Sequence, residues 1–209
     1  MLAELTIKDF LARTAGNDPV PGGGSISALS GALSATLAQM VAGLTIGRKK
    51  YADCEEEMKA LAAHFEHVRN ELVADIDNDA DAYDRVFAAF KMPKETEEEK
   101  ALRTAAIQRE TKHAAEVPMG VARKVCESLP RLVTVAQKGN QNAVTDACVA
   151  AMCARTAVLG ALMNVRINLA SITDTVFVVR MEAEAKELER KALETEQEVL
   201  NHLKKVLNS

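Results

Sequence analysis

The chain has no tryptophan, two tyrosines and five phenylalanines among 209 residues. Sheets favour aromatic and β-branched side chains, so a core this poor in rings argues against a β-sandwich or barrel. An excess of positive charge is also missing. The 26 Lys and Arg stand against 30 Asp and Glu, for a net charge of −4. Such a surface offers no basic field to a phosphate backbone, and no nucleic-acid partner is expected. Cys54, Cys126, Cys148 and Cys153 contain no Cys-x-x-Cys pair. They read as free thiols in a reducing compartment. The opening residues, MLAELTIKDF, include Glu4 and Asp9 and no long apolar run. No signal peptide is expected, and the expected location is cytoplasmic. Walker and dinucleotide-binding motifs, a nucleophile elbow and internal repeats are all absent.

What the chain does have is 48% hydrophobic residues, many of them alanine. That suits closely packed helices, and the hydrophobic spacing is helical throughout. The expected fold is an all-α bundle forming one domain over residues 1–209, with several long helices. Thr6 and Asp9 start a short helix that ends near Gly16. An uncharged helix runs from about Ser25, as its N-cap, to Ile46. A long helix follows from about Asp53 to Phe90, with the stripe Leu61, Phe65, Val68, Leu72, Ile76, Asp79, Tyr83, Val86 and Phe90. Met92-Pro93-Lys94 breaks it, and Thr96 with Glu99 forms a capping box for the next helix. Pro118 is expected to kink that helix or begin another, and Pro130 to interrupt it again. Gly139-Asn140 is a stop. Two further helices are expected over about Asn142–Leu169 and Thr173–Leu207.

Residues 26–47 carry no charged side chain. Their length would allow a membrane span, but Ser27, Ser30, Ser34, Thr36, Gln39 and Thr45 lower the hydropathy. The expectation is a central buried helix and no membrane partner. Directly before it lies Pro19-Val-Pro-Gly-Gly-Gly-Ser25. Consecutive glycines are entropically costly and suit close approach of backbone to another group. At a helix N-terminus they expose N–H groups that can receive an anion or a carbonyl. A tight interhelical turn is the plainer reading.

Asp79 is the one charged residue on its stripe. Burial there would raise its pKa toward values useful for proton transfer. Alternatively, it pairs with an arginine such as Arg155 or Arg166. Asp75, Asp77, Asp81 and Asp84 fall on other faces and read as solvated. Asp146 follows Asn140, Asn142 and Thr145 at a helix start, where the dipole favours it in any case. Asn164 and Asn168 share a face in an apolar segment and need hydrogen-bond partners. Arg48, Lys49 and Lys50, beside Tyr51, either compensate a helix C-terminus or receive a carboxylate. His64 and His67 lie three apart with no evident third ligand, so no metal site is expected.

Pro21-Gly22-Gly23-Gly24-Ser25, the Ala/Ser/Leu helix and Leu44-Thr-Ile-Gly-Arg-Lys-Lys-Tyr51 together resemble the opening of the cyclodeaminase/cyclohydrolase family. That family includes the C-terminal domain of formiminotransferase-cyclodeaminase and stand-alone methenyltetrahydrofolate cyclohydrolases. The resemblance continues at Asp79–Tyr83, Met92–Lys100, Gly139–Asp146 and Asn164–Asn168. It implies an all-α, dimer-forming folate enzyme, a homodimer with no cofactor beyond the tetrahydrofolate substrate. A cyclodeaminase closes N10 of 5-formiminotetrahydrofolate onto the formimino carbon and expels ammonia, a step of histidine breakdown. A cyclohydrolase opens 5,10-methenyltetrahydrofolate with water to 10-formyltetrahydrofolate. The first expectation is the cyclodeaminase and the alternative the cyclohydrolase. A non-catalytic helical assembly protein is the outside reading. On the resemblance, Asp146 and Asp79 are the candidates for proton transfer. Gly22, Gly23, Gly24 and Ser25 would meet the pterin. Lys49 and Lys50, with Tyr51, would meet the glutamate tail of a polyglutamylated folate. Asn142, Asn164 and Asn168 would bond the ring edge.

Overall fold

The computed structural model describes residues 1–208, so Ser209, the last residue of the expected domain, lies outside. Six α-helices form the bundle, and no strand occurs among the described residues. They are α1 (Ile7–Thr14), α2 (Gly23–Thr45), α3 (Glu55–Phe90), α4 (Glu97–Lys138), α5 (Val144–Leu169) and α6 (Thr175–Leu207). Short 3-10 segments occupy Leu2–Glu4, Lys49–Cys54, which is kinked at Tyr51, and Gln141–Ala143.

The core is built on α2 and α5. Ala28, Ala35, Ala38 and Ala42 of α2 and Ala147, Ala150, Ala154, Ala157 and Ala161 of α5 are buried, and α3 and α4 close around them. Small side chains at these positions let helix axes approach closely and leave packing to complementary ridges. The third layer, α6, lies over α4 and α5. Buried Met181, Ala185, Leu188, Ala192 and Val199 form its seam. Three arginines fasten it to glutamates. Arg123 grips Glu184 with two 2.6 Å bonds, Arg155 lies 2.8 Å from Glu196, and Arg166 lies 2.6 Å from Glu189.

Two segments, Gly23–Thr45 and Gln141–Leu169, are long and apolar enough to cross a membrane by length and composition, and half of each is buried inside the protein. Each segment also carries an exposed apolar stripe. Leu33, Met40 and Leu44 lie on α2, and Val149, Met152, Met163 and Ile167 on α5.

Local signals placed several ends correctly. Thr6 Oγ1 accepts from the Asp9 N–H, and the Thr96–Glu99 capping box is complete. Other boundaries differ. Ser25 is not the cap of α2. Gly22 is, and Ser25 lies inside the helix. The start of α6 is Thr175, capped by Asp174, whose carboxylate accepts from the Phe177 N–H at 3.0 Å. Neither proline interrupts α4, which runs unbroken for 42 residues through both. Pro118 lacks the N–H that would bond the carbonyl four residues back. That carbonyl, Ala114 C=O, instead accepts from Asn168 Nδ2 of α5 at 3.1 Å. A side chain from the next helix thus fills the gap that would otherwise favour a break.

Candidate functional site

α2 runs antiparallel to α3 and to α5, so its two ends gather different residues. At its start, Gly24 lies against Asp79. A Cβ on Gly24 would fall within the Asp79 carboxylate. The glycine is therefore a steric necessity, and the close approach that it permits lets the acid from α3 occupy the helix N-terminus. Ser25 Oγ lies 3.1 Å from Asp79 Oδ2 and 3.0 Å from the Ile76 carbonyl oxygen, and the Ser25 backbone N–H also bonds the carboxylate. Burial pushes the Asp79 pKa above its ordinary 3.8, while the two Ser25 donors oppose the shift. Arg155 and Arg166, the alternative partners read from the sequence, are engaged with Glu196 and Glu189 instead.

The neighbouring glycine faces α5. A Cβ on Gly23 would lie 3.2 Å from Asn164 Nδ2. Asn164 Nδ2 donates to Gly160 C=O at 2.9 Å, and Asn168 Nδ2 to Asn164 C=O at 2.9 Å as well as to Ala114 C=O. The donors are committed to the fold, but among the described residues neither amide oxygen has a hydrogen-bond partner. One end of the bundle therefore unites Gly22–Ser25, Asp79, Asn164 and Asn168. Gly22 is half-buried, Gly23 exposed, and Gly24 and Ser25 buried. The Val20–Pro21 peptide that leads into the turn is cis.

The remaining candidates lie at the other end. The 23 residues of α2 run from Gly23 to Thr45, which places these ends about 33 Å apart at 1.5 Å per residue. There Asn140 N–H donates to Thr45 Oγ1 at 2.8 Å, and Asn140 Nδ2 to Leu44 C=O at 3.1 Å. Tyr51 Oη accepts from the Gln141 N–H at 3.0 Å, and Lys50 Nζ sits 5.5 Å from the Tyr51 ring centre. Arg48, Lys49, Lys50 and Asn142 are exposed, and Asp146 is half-buried in the first turn of α5. Within one chain the two candidate acids are thus at opposite ends. Gly47, at φ +76°, makes the turn out of α2.

Sequence reading missed Asp75. It is buried and pairs with Lys124 Nζ at 2.7 Å. The spacing Val68, Leu72, Asp75, Asp79 would have revealed it as a member of the inward face. It missed the partner of His64 as well, whose Nε2 lies 3.0 Å from Ser128 Oγ. A groove of ≈ 620 Å³ between α4 and α6, lined by Gln137, Glu194 and His202, holds none of the residues named above.

An N-terminal turn with a half-buried acid held over bare backbone can place a titratable carboxyl beside a polar ligand. Known proteins share this architecture. A 189-residue alignment, covering 90% of this chain and 89% of the relative, is 40% identical to a methenyltetrahydrofolate cyclohydrolase of Methylorubrum extorquens. The formimidoyltransferase-cyclodeaminase of Rattus norvegicus is 37% identical over 84% of this chain, which spans only 32% of that longer protein. The crystal structure of a formiminotetrahydrofolate cyclodeaminase from Thermotoga maritima superposes with a TM-score of 0.88 at 31% identity, over 99% of this chain and all of that one. The family model for formiminotransferase-cyclodeaminase matches residues 6–187, and the chain belongs to that family of folate one-carbon enzymes.

Proposed function

We propose that the protein works on the carbon bridging N5 and N10 of tetrahydrofolate, and that its reaction is hydrolysis of 5,10-methenyltetrahydrofolate to 10-formyltetrahydrofolate. This reverses the order of preference read from the sequence. The reason is the 40% identity to a cyclohydrolase matched almost end to end. The cyclodeaminase remains the second reading, favoured by the fold match to the Thermotoga maritima enzyme.

The observation that carries the mechanism is the raised pKa of Asp79 above Gly24. A carboxylate there takes a proton from water as the oxygen bonds to the methenyl carbon. The carbon–N5 bond then breaks, N5 keeps the electron pair and gains a proton, and the hydroxyl becomes the formyl carbonyl with net release of one proton. In the cyclodeaminase reading, the same group in its protonated form supplies a proton to departing ammonia. Both need positioning and one correctly poised acid–base group.

Asp146, Lys49, Lys50, Tyr51 and Asn142 join this scheme through a second copy of the chain. Two antiparallel copies packed through the exposed apolar stripes of α2 and α5 would set the basic turn of one beside the glycine turn of the other. The homodimer, the polyglutamate tail on Lys49 and Lys50, and a cytoplasmic place of work all belong to this proposal. The stripes support it by being apolar, exposed and carried on neighbouring helices. The test is to offer the purified protein both substrates and compare kcat/KM. Faster turnover of the methenyl compound is the expected result. Faster release of ammonia from the formimino compound would hand the assignment to the second reading, and turnover of neither would remove both.

A further inference from the structure

One and two turns beyond Asp79 on α3 stand Tyr83 and Phe87. Their rings are nearly parallel, 16° apart with centres 6.2 Å from one another. Both are exposed, at 40% and 48%. Core packing accounts for neither, because Ala82 and Ala89 are the residues buried along this stretch. The two rings form part of the wall of an open cavity of ≈ 510 Å³, a size common for small-molecule sites. Pro19 and Val20, the residues that lead into the glycine turn, also line it, as do Arg13 and Asp18. The cavity is thus continuous in sequence with both parts of the candidate site, Asp79 on one side and Gly22–Ser25 on the other.

Its charge is informative. Asp18, Asp77, Asp81 and Asp84 line it together with Arg13 and the first residue, Met1, and Lys91 Nζ lies 3.9 Å from the Phe87 ring centre. Asp77 is occupied by the backbone N–H groups of Leu2 and Ala3, which dock the first turn of the chain onto α3. A lining so acidic repels a carboxylate-bearing tail. It suits a flat ring system that donates N–H groups and gains positive charge in its reactive form.

Resting on the folate reading above, we propose that Tyr83 and Phe87 form a stacking shelf for the pteridine ring, and that this cavity, not the basic turn, fixes which end of the coenzyme enters first. The aromatic faces hold the ring plane, with the flexible Lys91 that sits over Phe87 giving way to it, and the carboxylates receive the amino and ring N–H donors of its pyrimidine edge. The glutamate tail points away from the acidic lining. Tyr83 and Phe87 position the substrate, and the proton transfer stays with Asp79.

The test uses the full-length protein and two fragments, 6-methyltetrahydropterin and p-aminobenzoylglutamate, with turnover measured alongside binding by calorimetry. The double variant Tyr83→Leu/Phe87→Leu should raise KM for the folate substrate about tenfold, with kcat changed little. It should abolish binding of the pterin fragment and leave that of the other fragment unchanged. Tyr83→Phe should restore the affinity, since the ring face and not the hydroxyl is used. Both side chains are exposed, so a circular dichroism spectrum and melting curve like those of the unaltered protein are expected. Unchanged affinity in the double variant, or loss confined to p-aminobenzoylglutamate, would overturn the shelf while leaving the folate assignment standing. Absence of any folate turnover by the unaltered protein would overturn the assignment and the shelf together.

Discussion

At the Gly23 end of α2, a carboxylate from another helix takes the N-terminal donors, and a glycine is required so that it can. At the Thr45 end, the chain leaves the helix through Gly47 and three exposed cations, and the polar contacts tie that end to the turn between α4 and α5, from Asn140 to Thr45 and from Gln141 to Tyr51. Both ends are rich in polar residues, and the sequence does not distinguish them. The structure does. The first end holds its acid half-buried under tension between desolvation and two donors, whereas the second spends its polar groups on chain reversal. Perturbed titration is concentrated where chemistry is done, and for that reason the proposed proton transfer is placed at the first end.

The sharpest way to break that contrast is at the two acids. Asp79→Asn should lower kcat by about 10²- to 10⁴-fold, the usual range for losing a general acid–base. Asp146→Asn should also lower turnover if the partner's α5 completes the site. Mixing the two inactive chains and letting them exchange subunits should then return about a quarter of normal activity, because half the dimers are mixed and each carries one intact site. No recovery on mixing, in chains shown by light scattering to be dimeric, would confine each site to one chain. Next in size is Gly24→Ala. The added methyl drives Asp79 from its donors while the carboxyl stays largely out of water, which should cost about 2 kcal/mol of stability, read by urea denaturation.

These two acids also mark how far the sequence could be read. Asp79 was visible as a lone charge on an apolar stripe, but its partner Ser25 was not, since helix spacing says nothing about contacts between helices. The same limit explains Pro118. Local rules forbid a proline in a helix interior, and the exception depends on Asn168, 54 residues from the Ala114 carbonyl that it serves. Where cause and effect lie within one turn, as for Thr96 and Glu99, the reading was correct. Tyr83 and Phe90 continued the stripe by spacing yet are exposed, because beyond Asp79 helix α3 outruns the start of α2 and no longer has it as a neighbour.

A smaller effect is expected at the basic end. Replacing Lys49 and Lys50 by alanine should raise KM for a polyglutamylated folate about threefold, and added salt should shrink the difference, as for any exposed ion pair. The weakest signal is in stability. The folded protein favours the protonated form of Asp79, so this residue contributes fully below its ordinary 3.8 and the contribution is lost as pH rises through the elevated value. The stability of the unaltered protein relative to Asp79→Asn should therefore decline across that window. A difference that grows with pH would mean that the Ser25 donors outweigh desolvation.

The bond from Asn168 to the carbonyl beneath Pro118 carries one more implication. It makes two distant positions a matched pair. Were residue 118 to regain an ordinary amide hydrogen, Ala114 would be served from its own helix, and the carboxamide of residue 168, left with only its bond to the Asn164 carbonyl, would be freer to turn toward the glycine end. Descendants of this fold could thus acquire a new recognition group by altering a residue that touches no ligand.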